Sequence, residues 1–182
     1  WPDGFTPKWS NDGEQHAVTV DLDGDGLLDI LVARALMLPG ADGRIDSRTL
    51  VLMGAKDGVY DAKPSHPLVA LMGERVRSIL CGDIDLDGHV DLYVIKAGDN
   101  AMLLSDGAGG FRDVTEPSGT RGRGTLCVDG VLADLDQDGD LDLFLCFRDA
   151  PNQLYANTGG GTFRDIAREA GLGTEDRAPI GV

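Results

Sequence analysis

The sequence predicts an all-β protein built from repeated units of four antiparallel strands. The first observation is an acidic loop that occurs three times and is followed each time by an apolar segment. The second is the interval of 62 and then 51 residues at which this loop recurs, which is typical of stacked supersecondary units. The third is a short segment led by an aromatic residue that keeps the same period, at Tyr60, Phe111 and Phe163.

The first acidic loop lies between two apolar runs in VTVDLDGDGLLDILV, residues 18–32. It places Asp21, Asp23, Asp25 and Asp29 within nine positions. Each close pair of carboxylates costs about 1–4 kcal/mol at the dielectric values of a protein surface, so the loop requires a cation. Oxygens at positions 1, 3, 5 and 9, with the backbone carbonyl of position 7, form the cage that calcium prefers. Magnesium retains more water, and zinc prefers His and Cys.

The same loop recurs twice with the same offsets, as GDIDLDGHVDLYV and ADLDQDGDLDLFL. Three occurrences in 182 residues argue against a chance acidic turn. We therefore predict three calcium sites, in which positions 1, 3, 5 and 9 bind through carboxylates and position 7 binds through its backbone carbonyl. The predicted ligands are Asp21, Asp23, Asp25, Leu27 and Asp29 in the first loop, Asp83, Asp85, Asp87, His89 and Asp91 in the second, and Asp134, Asp136, Asp138, Asp140 and Asp142 in the third.

An EF-hand is the main alternative for a loop of this type. That motif needs a bidentate Glu at position 12 and a helix on each side. Position 12 is Val32, Val94 and Leu145, and the segments after the loops are short, apolar and rich in β-branched and aromatic residues. Such segments are typical of strands that are buried on both faces. Each loop is therefore predicted to be the turn of a β-hairpin.

The rest of each unit supplies two more strands. A second apolar stretch follows each hairpin, at TLVLMG, AMLLSD and QLYANT, and a Gly-rich turn then leads to the aromatic-led strand. The first unit is longer than the others, because LMLPGADGRIDSR adds a hairpin insertion. Four antiparallel strands that repeat at this period, buried on both faces, describe the blades of a β-propeller.

The three DxDxDGxxD loops and the stretches NAMLLSDGAGGFRDV and NQLYANTGGGTFRDI resemble a known family. This family is the FG-GAP or VCBS repeat of integrin-α-like calcium-binding β-propellers, especially the subgroup found beside domains of the cartilage acidic protein type. The resemblance covers nearly the whole chain. It implies a calcium site in the turn between the first two strands of each blade, usually with about seven blades in a ring. It implies no particular ligand, because folds of this kind host many functions.

The repeat spacing predicts a single incomplete propeller domain over residues 1–182. Three blades do not close a ring, because propellers typically have four to eight. The alternative is a short chain that completes a ring or arc by self-association, since a repeat unit cannot bury both of its faces alone. We expect residues 1–12 to be the tail of a preceding blade, residues 13–63 a blade with the hairpin insertion, residues 64–116 and 117–172 two further blades, and residues 173–182 the first strand of the next blade.

Composition and charge limit the classes of function. The chain is 42% hydrophobic and 5% aromatic, which is enough for a layered β core, and no apolar run approaches the length of a membrane span. A net charge of −15 argues against nucleic acids and anionic membranes as partners, because both need basic patches. Extracellular calcium modules bind in the range of roughly 0.1–1 mM, so we expect an extracellular, cell-surface or periplasmic location.

The three cysteines lie within apolar strands, and their number is odd. Small buried thiols are the simplest interpretation of Cys81, Cys127 and Cys146. A Cys127–Cys146 disulfide across one hairpin is left open by the sequence.

Residues of catalytic type are few, and we expect no active site. His89 is expected to contribute only its carbonyl, and the sequence spacing pairs neither His16 nor His66 with a nucleophile. Arginines recur just before the first strand of successive blades. They would form either a solvated rim or a rim that binds a partner. These arginines are Arg75, Arg77, Arg121, Arg123 and Arg177.

The functional expectation is a calcium-stabilised, non-enzymatic scaffold for protein–protein contacts, on a secreted protein or as an accessory subunit of a larger assembly. Two alternatives remain, a carbohydrate-binding, lectin-like propeller and the propeller portion of a polysaccharide-degrading enzyme. The sequence disfavours carbohydrate binding, because Trp1 and Trp9 are the only tryptophans and both lie outside the repeats.

Overall fold

A computed structural model of the chain describes residues 15–39, 45–73, 75–122, 126–148 and 150–172. These residues form three four-stranded antiparallel sheets, so the predicted all-β fold with its four-stranded blades is confirmed. In each blade, strands that are neighbours in sequence are also neighbours in the sheet. The predicted segments 1–12 and 173–182 lie outside the described residues, and the blade boundaries at both ends stay predictions.

The twelve strands follow the order of the chain. Blade 1 contains β1 (Gln15–Val20), β2 (Asp29–Pro39), β3 (Ile45–Ala55) and β4 (Val59–Ala62). Blade 2 contains β5 (Val76–Gly82), β6 (Asp91–Lys96), β7 (Ala101–Ser105) and β8 (Phe111–Asp113). Blade 3 contains β9 (Cys127–Ala133), β10 (Asp142–Phe147), β11 (Gln153–Asn157) and β12 (Phe163–Asp165). A 3₁₀ turn at Lys56–Gly58 and two short helices, α1 (Pro67–Met72) and α2 (Thr115–Ser118), complete the described elements.

The hairpin of β2 and β3 in blade 1 is longer than its counterparts. Strands β2 and β3 have 11 residues each, whereas β6 and β7 of blade 2 have six and five. The extra length falls where the sequence predicts an insertion, and residues 40–44 at its tip lie outside the described part of the chain. Strands β8 and β12 open on Phe111 and Phe163, while β4 begins one residue before Tyr60.

The hydrophobic core lies between the blades, on both faces of blade 2. On one face, Leu31 and Val51 of blade 1 pack against Leu92 and Leu103 of blade 2. Because successive side chains of a strand point to opposite faces, the residue after Leu92 belongs to the other interface.

On the second face of blade 2, Tyr93 and Met102 pack against Leu143 and Leu145 of blade 3. The side chains of these four residues are fully buried. Strand β6 is therefore buried on both faces, as its continuous apolar run predicts.

The first strands of the three blades lie side by side, since β5 packs against both β1 and β9. A hydrogen bond of 3.1 Å between Nε2 of His16 and the carbonyl of Ile79 joins β1 to β5. His16 therefore links two blades. Neither described helix is both long and apolar enough to cross a bilayer.

Helix α1 closes the space between blades 1 and 2. Nδ1 of His66 accepts a hydrogen bond of 3.2 Å from the backbone N–H of Leu68, and Pro67 occupies the first turn, where a missing N–H costs nothing. Leu68 and Met72 enter the core between the two blades. Helix α1 thus contributes to the core between these blades.

A pair of leucine truncations tests this packing. Leu92 is fully buried between blades 1 and 2, so Leu92→Ala is expected to lower the free energy of unfolding by about 2–5 kcal/mol. Leu28 is 58% exposed, so Leu28→Ala is expected to change it by less than about 0.5 kcal/mol. Urea denaturation followed by circular dichroism measures both. Equal costs for the two substitutions would contradict the assigned core.

Candidate metal centres

The three acidic loops connect the first two strands of each blade, over residues 21–28, 83–90 and 134–141. In each loop, the carboxylates at positions 1, 3 and 9 converge, and one oxygen from each lies within 4.8 Å of the other two. The resulting clusters can hold a metal ion. They are Asp21, Asp23 and Asp29 in blade 1, Asp83, Asp85 and Asp91 in blade 2, and Asp134, Asp136 and Asp142 in blade 3.

The position 9 carboxylate is buried in all three loops and joins two parts of the blade. In blade 2, Oδ2 of Asp91 accepts the backbone N–H of Ile84 at 2.7 Å, and Oδ1 accepts that of Ser105 at 2.8 Å. Asp29 and Asp142 make the equivalent pair of bonds. Each of these aspartates therefore fastens the acidic loop to the end of the third strand, a structural role in addition to that of a predicted ligand.

The position 1 and position 5 carboxylates shape the loop itself. In the first loop, Asp21 accepts the backbone N–H groups of Gly24 and Gly26 at 2.8 and 2.9 Å, and Asp25 accepts that of Leu27 at 2.8 Å. Gly26 has a φ of 84°, as the sharp bend at position 6 requires.

The position 5 carboxylates lie outside the clusters of three. Each accepts a hydrogen bond from the backbone N–H of its own position 7 residue, at 2.8–3.2 Å. The structure therefore places Asp25, Asp87 and Asp138 at the rim of each loop, while positions 1, 3 and 9 form its centre.

The clustered carboxylates repel one another. Burial raises the pKa of Asp91 to about 6, against the opposing hydrogen bonds from Ser105 and Ile84. Burial, followed by the negative charges of Asp87 and Asp83, also raises the pKa of Asp85. A cation in the cluster would relieve this repulsion.

Two buried carboxylate oxygens support the fit of a cation. Oδ1 of Asp85 and Oδ1 of Asp140 have no hydrogen-bond partner among the described residues. A buried polar atom without a partner costs free energy, and a bound cation would satisfy it. The second and third loops therefore each contain an oxygen that a metal ion would use.

The side chain of Asp140 has surroundings that the sequence interpretation did not predict. The predicted role of position 7 used only its backbone carbonyl, but the carboxyl group of Asp140 lies close to that of Asp138. Burial and the charge of Asp138 raise its pKa to about 6. The sequence contained a signal for this, because position 7 is an aspartate only in the third loop and is Leu27 and His89 in the other two. The third loop thus has one more carboxylate than the first two.

His89 and the second loop contact the neighbouring turn. The His89 side chain is exposed, and its ring lies so close to Gly107 that any side chain at position 107 would collide with it. The imidazole also helps to lower the pKa of Asp106, although hydrogen bonds from Ala108 and Gly110 are the larger cause. His89 therefore borders the Gly-rich turn of its own blade.

Each of the first two acidic loops rests on the Gly-rich turn of the following blade. A Cβ on Gly109 would lie 3.5 Å from Cβ of Asp23, and one on Gly161 would lie 3.8 Å from Cβ of Asp85. In addition, Nδ2 of Asn157 donates a hydrogen bond of 2.9 Å to the carbonyl of Ile84. The first two acidic loops therefore form part of the interfaces between blades.

The cysteines and arginines take ordinary structural positions. The three cysteines are free thiols, so the Cys127–Cys146 disulfide that the sequence left open is not formed. Burial raises the pKa of Cys127 to about 11, which keeps its thiol protonated. Exposed Arg121 forms ion pairs with Glu116 and Asp99, and Arg123 and Arg177 lie outside the described residues.

Removal of the position 9 carboxylate separates its structural role from metal binding. In a chelator, Asp91→Ala is expected to lower the free energy of unfolding by about 2 kcal/mol or more, because two backbone N–H groups lose their acceptor. The matched Asp87→Ala removes an exposed carboxylate from the same loop and is expected to cost less than about 1 kcal/mol. Denaturant titration in EDTA measures both, and equal costs would exclude the structural role of Asp91.

Comparison with known proteins identifies the repeat. A search of curated proteins finds no match to this chain. The family model of the FG-GAP-like repeat matches three times, over residues 21–94, 83–145 and 134–182, and each match begins at position 1 of an acidic loop. The resemblance to the cartilage acidic protein subgroup stays a prediction. Because the matches together span residues 21–182, the chain belongs to the FG-GAP-like repeat family.

Proposed function

We propose that the chain is a calcium-stabilised propeller scaffold that acts outside the cytoplasm, is not an enzyme, and presents its surface to protein partners, including those of a larger assembly. The observation that carries this proposal is the convergence of three carboxylates in each of three equivalent loops. The oxygens of Asp85 and Asp140 that lack partners among the described residues support it.

Calcium is the ion that fits this donor set. The clusters contain only carboxylates, and hard oxygen ligands suit calcium better than zinc. In the proposed sites, positions 1, 3, 5 and 9 bind through their carboxylates, and Leu27, His89 and Asp140 bind through their backbone carbonyls. The carboxyl group of Asp140 would supply a further oxygen in the third site.

The bound ion would supply positive charge where the loop and the third strand meet. The position 9 aspartate already fastens these segments, and neutralising its neighbours removes the repulsion that opposes the bonds. Because Asp23 and Asp85 also contact the turns at Gly109 and Gly161, the ion would order those turns as well. An ordered edge of this kind is what a scaffold presents to a partner.

Charge supports the proposed partner class. The chain carries a net charge of −15, and three calcium ions would leave about −9. The surface therefore stays acidic, which disfavours nucleic acid and favours protein partners with basic surfaces. Trp1 and Trp9, on which the sequence argument against carbohydrate binding rests, lie outside the described residues.

Calcium is expected to raise the melting temperature of the protein. An ion that binds only the folded state adds about 2.7 kcal/mol per site at one hundred times its dissociation constant. Thermal denaturation in millimolar calcium, in magnesium and in EDTA measures the effect. We expect the highest melting temperature in calcium. Identical melting temperatures in calcium and EDTA would contradict the proposal.

A single substitution tests the number of sites. Asp136→Ala removes one carboxylate of the third cluster, so the number of bound calcium ions is expected to fall from three to two. The control is Asp61→Ala, which removes an exposed carboxylate from β4, outside the acidic loops, and should leave three ions bound. Isothermal titration calorimetry with elemental analysis gives the count. Three ions bound to Asp136→Ala would exclude the third site.

A further inference from the structure

Asn157 joins the second acidic loop to the third. The residue ends β11 in blade 3 and is 5% exposed. Its backbone N–H donates a hydrogen bond of 3.0 Å to Oδ1 of Asp142, at position 9 of the third loop. Its side-chain Nδ2 donates a hydrogen bond of 2.9 Å to the carbonyl of Ile84, at position 2 of the second loop. One buried residue therefore contacts both loops.

The side chain of Asn157 is held in one orientation by further hydrogen bonds. Nδ2 also donates a hydrogen bond of 3.2 Å to the carbonyl of Leu141, at position 8 of the third loop. Oδ1 accepts the backbone N–H of Gly159 at 3.0 Å. The amide nitrogen thus has two acceptors and the amide oxygen has a donor, so rotation of the side chain would break several buried hydrogen bonds. The position of Nδ2 therefore follows the position of the third loop.

Ile84 links the Asn157 amide to the second metal cluster. It lies between Asp83 and Asp85, two of the three clustered carboxylates, and its N–H is bonded to the third, Asp91, at 2.7 Å. The carbonyl that accepts from Asn157 belongs to the peptide bond that leads into Asp85, and a peptide group is planar and rigid. Movement of the Asn157 amide would therefore displace the backbone of a predicted ligand residue.

A second contact joins the same two loops. The side chain of Leu141 lies over Gly82, which directly precedes the second loop, and a Cβ on Gly82 would lie 2.5 Å from Cδ1 of Leu141. Leu141 is also the residue of the third loop whose carbonyl accepts from Asn157. The second and third loops are therefore packed together as well as hydrogen-bonded, and contiguous contacts of this kind can carry coupling between sites.

The interface between blades 1 and 2 differs at the equivalent position. Ser105 replaces Asn157 there, and its backbone N–H binds Asp91 in the same way. Its hydroxyl oxygen accepts the N–H of Gly107 in its own blade at 3.1 Å, and among the described residues no hydrogen bond joins it to the first loop. A serine at this position therefore keeps the backbone bond to the aspartate and lacks the side-chain bond to the preceding blade.

We propose that Asn157 couples the second and third metal sites, so that filling one site raises the affinity of the other. A filled third site restricts Asp142 and, through it, Asn157. The amide of Asn157 then restrains Ile84, so the second loop loses less conformational freedom when its own site is filled. Coupling of this kind is reciprocal by thermodynamic linkage. The inference rests on the proposed function, because it requires that both clusters bind ions.

Calcium titration calorimetry on three chains measures the coupling. All three carry Asp23→Ala, which removes the first site. One has no further change and keeps two sites, one adds Asp136→Ala and keeps only the second site, and one adds Asp85→Ala and keeps only the third. The association constant for two ions, divided by the product of the two single-site constants, gives the coupling factor. We expect Asn157→Ser to lower this factor about fivefold.

Asn152→Ser is the matched control. Oδ1 of Asn152 accepts the backbone N–H of Phe147 at 3.1 Å, at the opposite end of β10 from the acidic loop. The control therefore shortens an amide side chain of the same blade and should leave the coupling factor unchanged. Neither substitution changes the charge, so any repulsion between the two ions is the same in all chains. Circular dichroism and melting curves show that each variant is folded.

Amide hydrogen exchange tests the coupling without a change at position 157. At saturating calcium, Asp136→Ala is expected to speed exchange of the Ile84 N–H about fivefold, because the vacant third site no longer restrains the second loop through Asn157. Asp61→Ala, which lies in β4 and outside the acidic loops, should leave that exchange unchanged. Equal exchange at Ile84 in the two variants would overturn the inference.

The titrations separate this inference from the proposed function. A chain that binds no calcium would overturn both. Filled sites whose coupling factor is unchanged by Asn157→Ser, or is lowered as much by Asn152→Ser, would overturn the coupling alone. A purely structural role of Asn157 would weaken each single site and leave the coupling factor as it was, and this result would also overturn the inference.

Discussion

The fold depends on one buried carboxylate per blade, the aspartate at position 9 of the acidic loop. Asp91 is the clearest case, since its two oxygens accept N–H groups from Ile84 and Ser105, which are 21 residues apart in sequence. A carboxylate buried at this depth is costly, and its pKa of about 6 reflects that cost. The two hydrogen bonds offset part of the cost, and a cation bound by the same cluster would offset more.

The third-strand residue that donates its backbone N–H to this carboxylate differs among blades. In blade 1 it is Gly54, where a Cβ would lie 2.5 Å from the carbonyl oxygen of Leu28, so only glycine fits. In blade 3 it is Asn157, whose backbone N–H binds Asp142 and whose side chain binds the carbonyl of Ile84 in blade 2. In blade 3 the third strand, β11, therefore connects the loop of its own blade to that of blade 2.

The sequence was sufficient for the parts of the fold that follow from spacing. The apolar run around Tyr93 predicted a strand buried on both faces, and the offsets from Asp83 to Asp91 predicted a hairpin turn. It was not sufficient for roles set by contacts between distant residues. The hydrogen bond from the backbone N–H of Ser105 to Asp91 depends on how the strands pair, and spacing carries no information on that.

The acidic loops and the blade interfaces are parts of one arrangement. Position 2 of each loop donates its N–H to the buried aspartate. In the first two loops the apolar side chain of that residue, Leu22 or Ile84, also packs in the interface with the following blade. An ion that holds either loop would therefore also fix a contact residue of that interface. Metal binding and packing between blades are for this reason expected to favour each other, because each restricts the same residue.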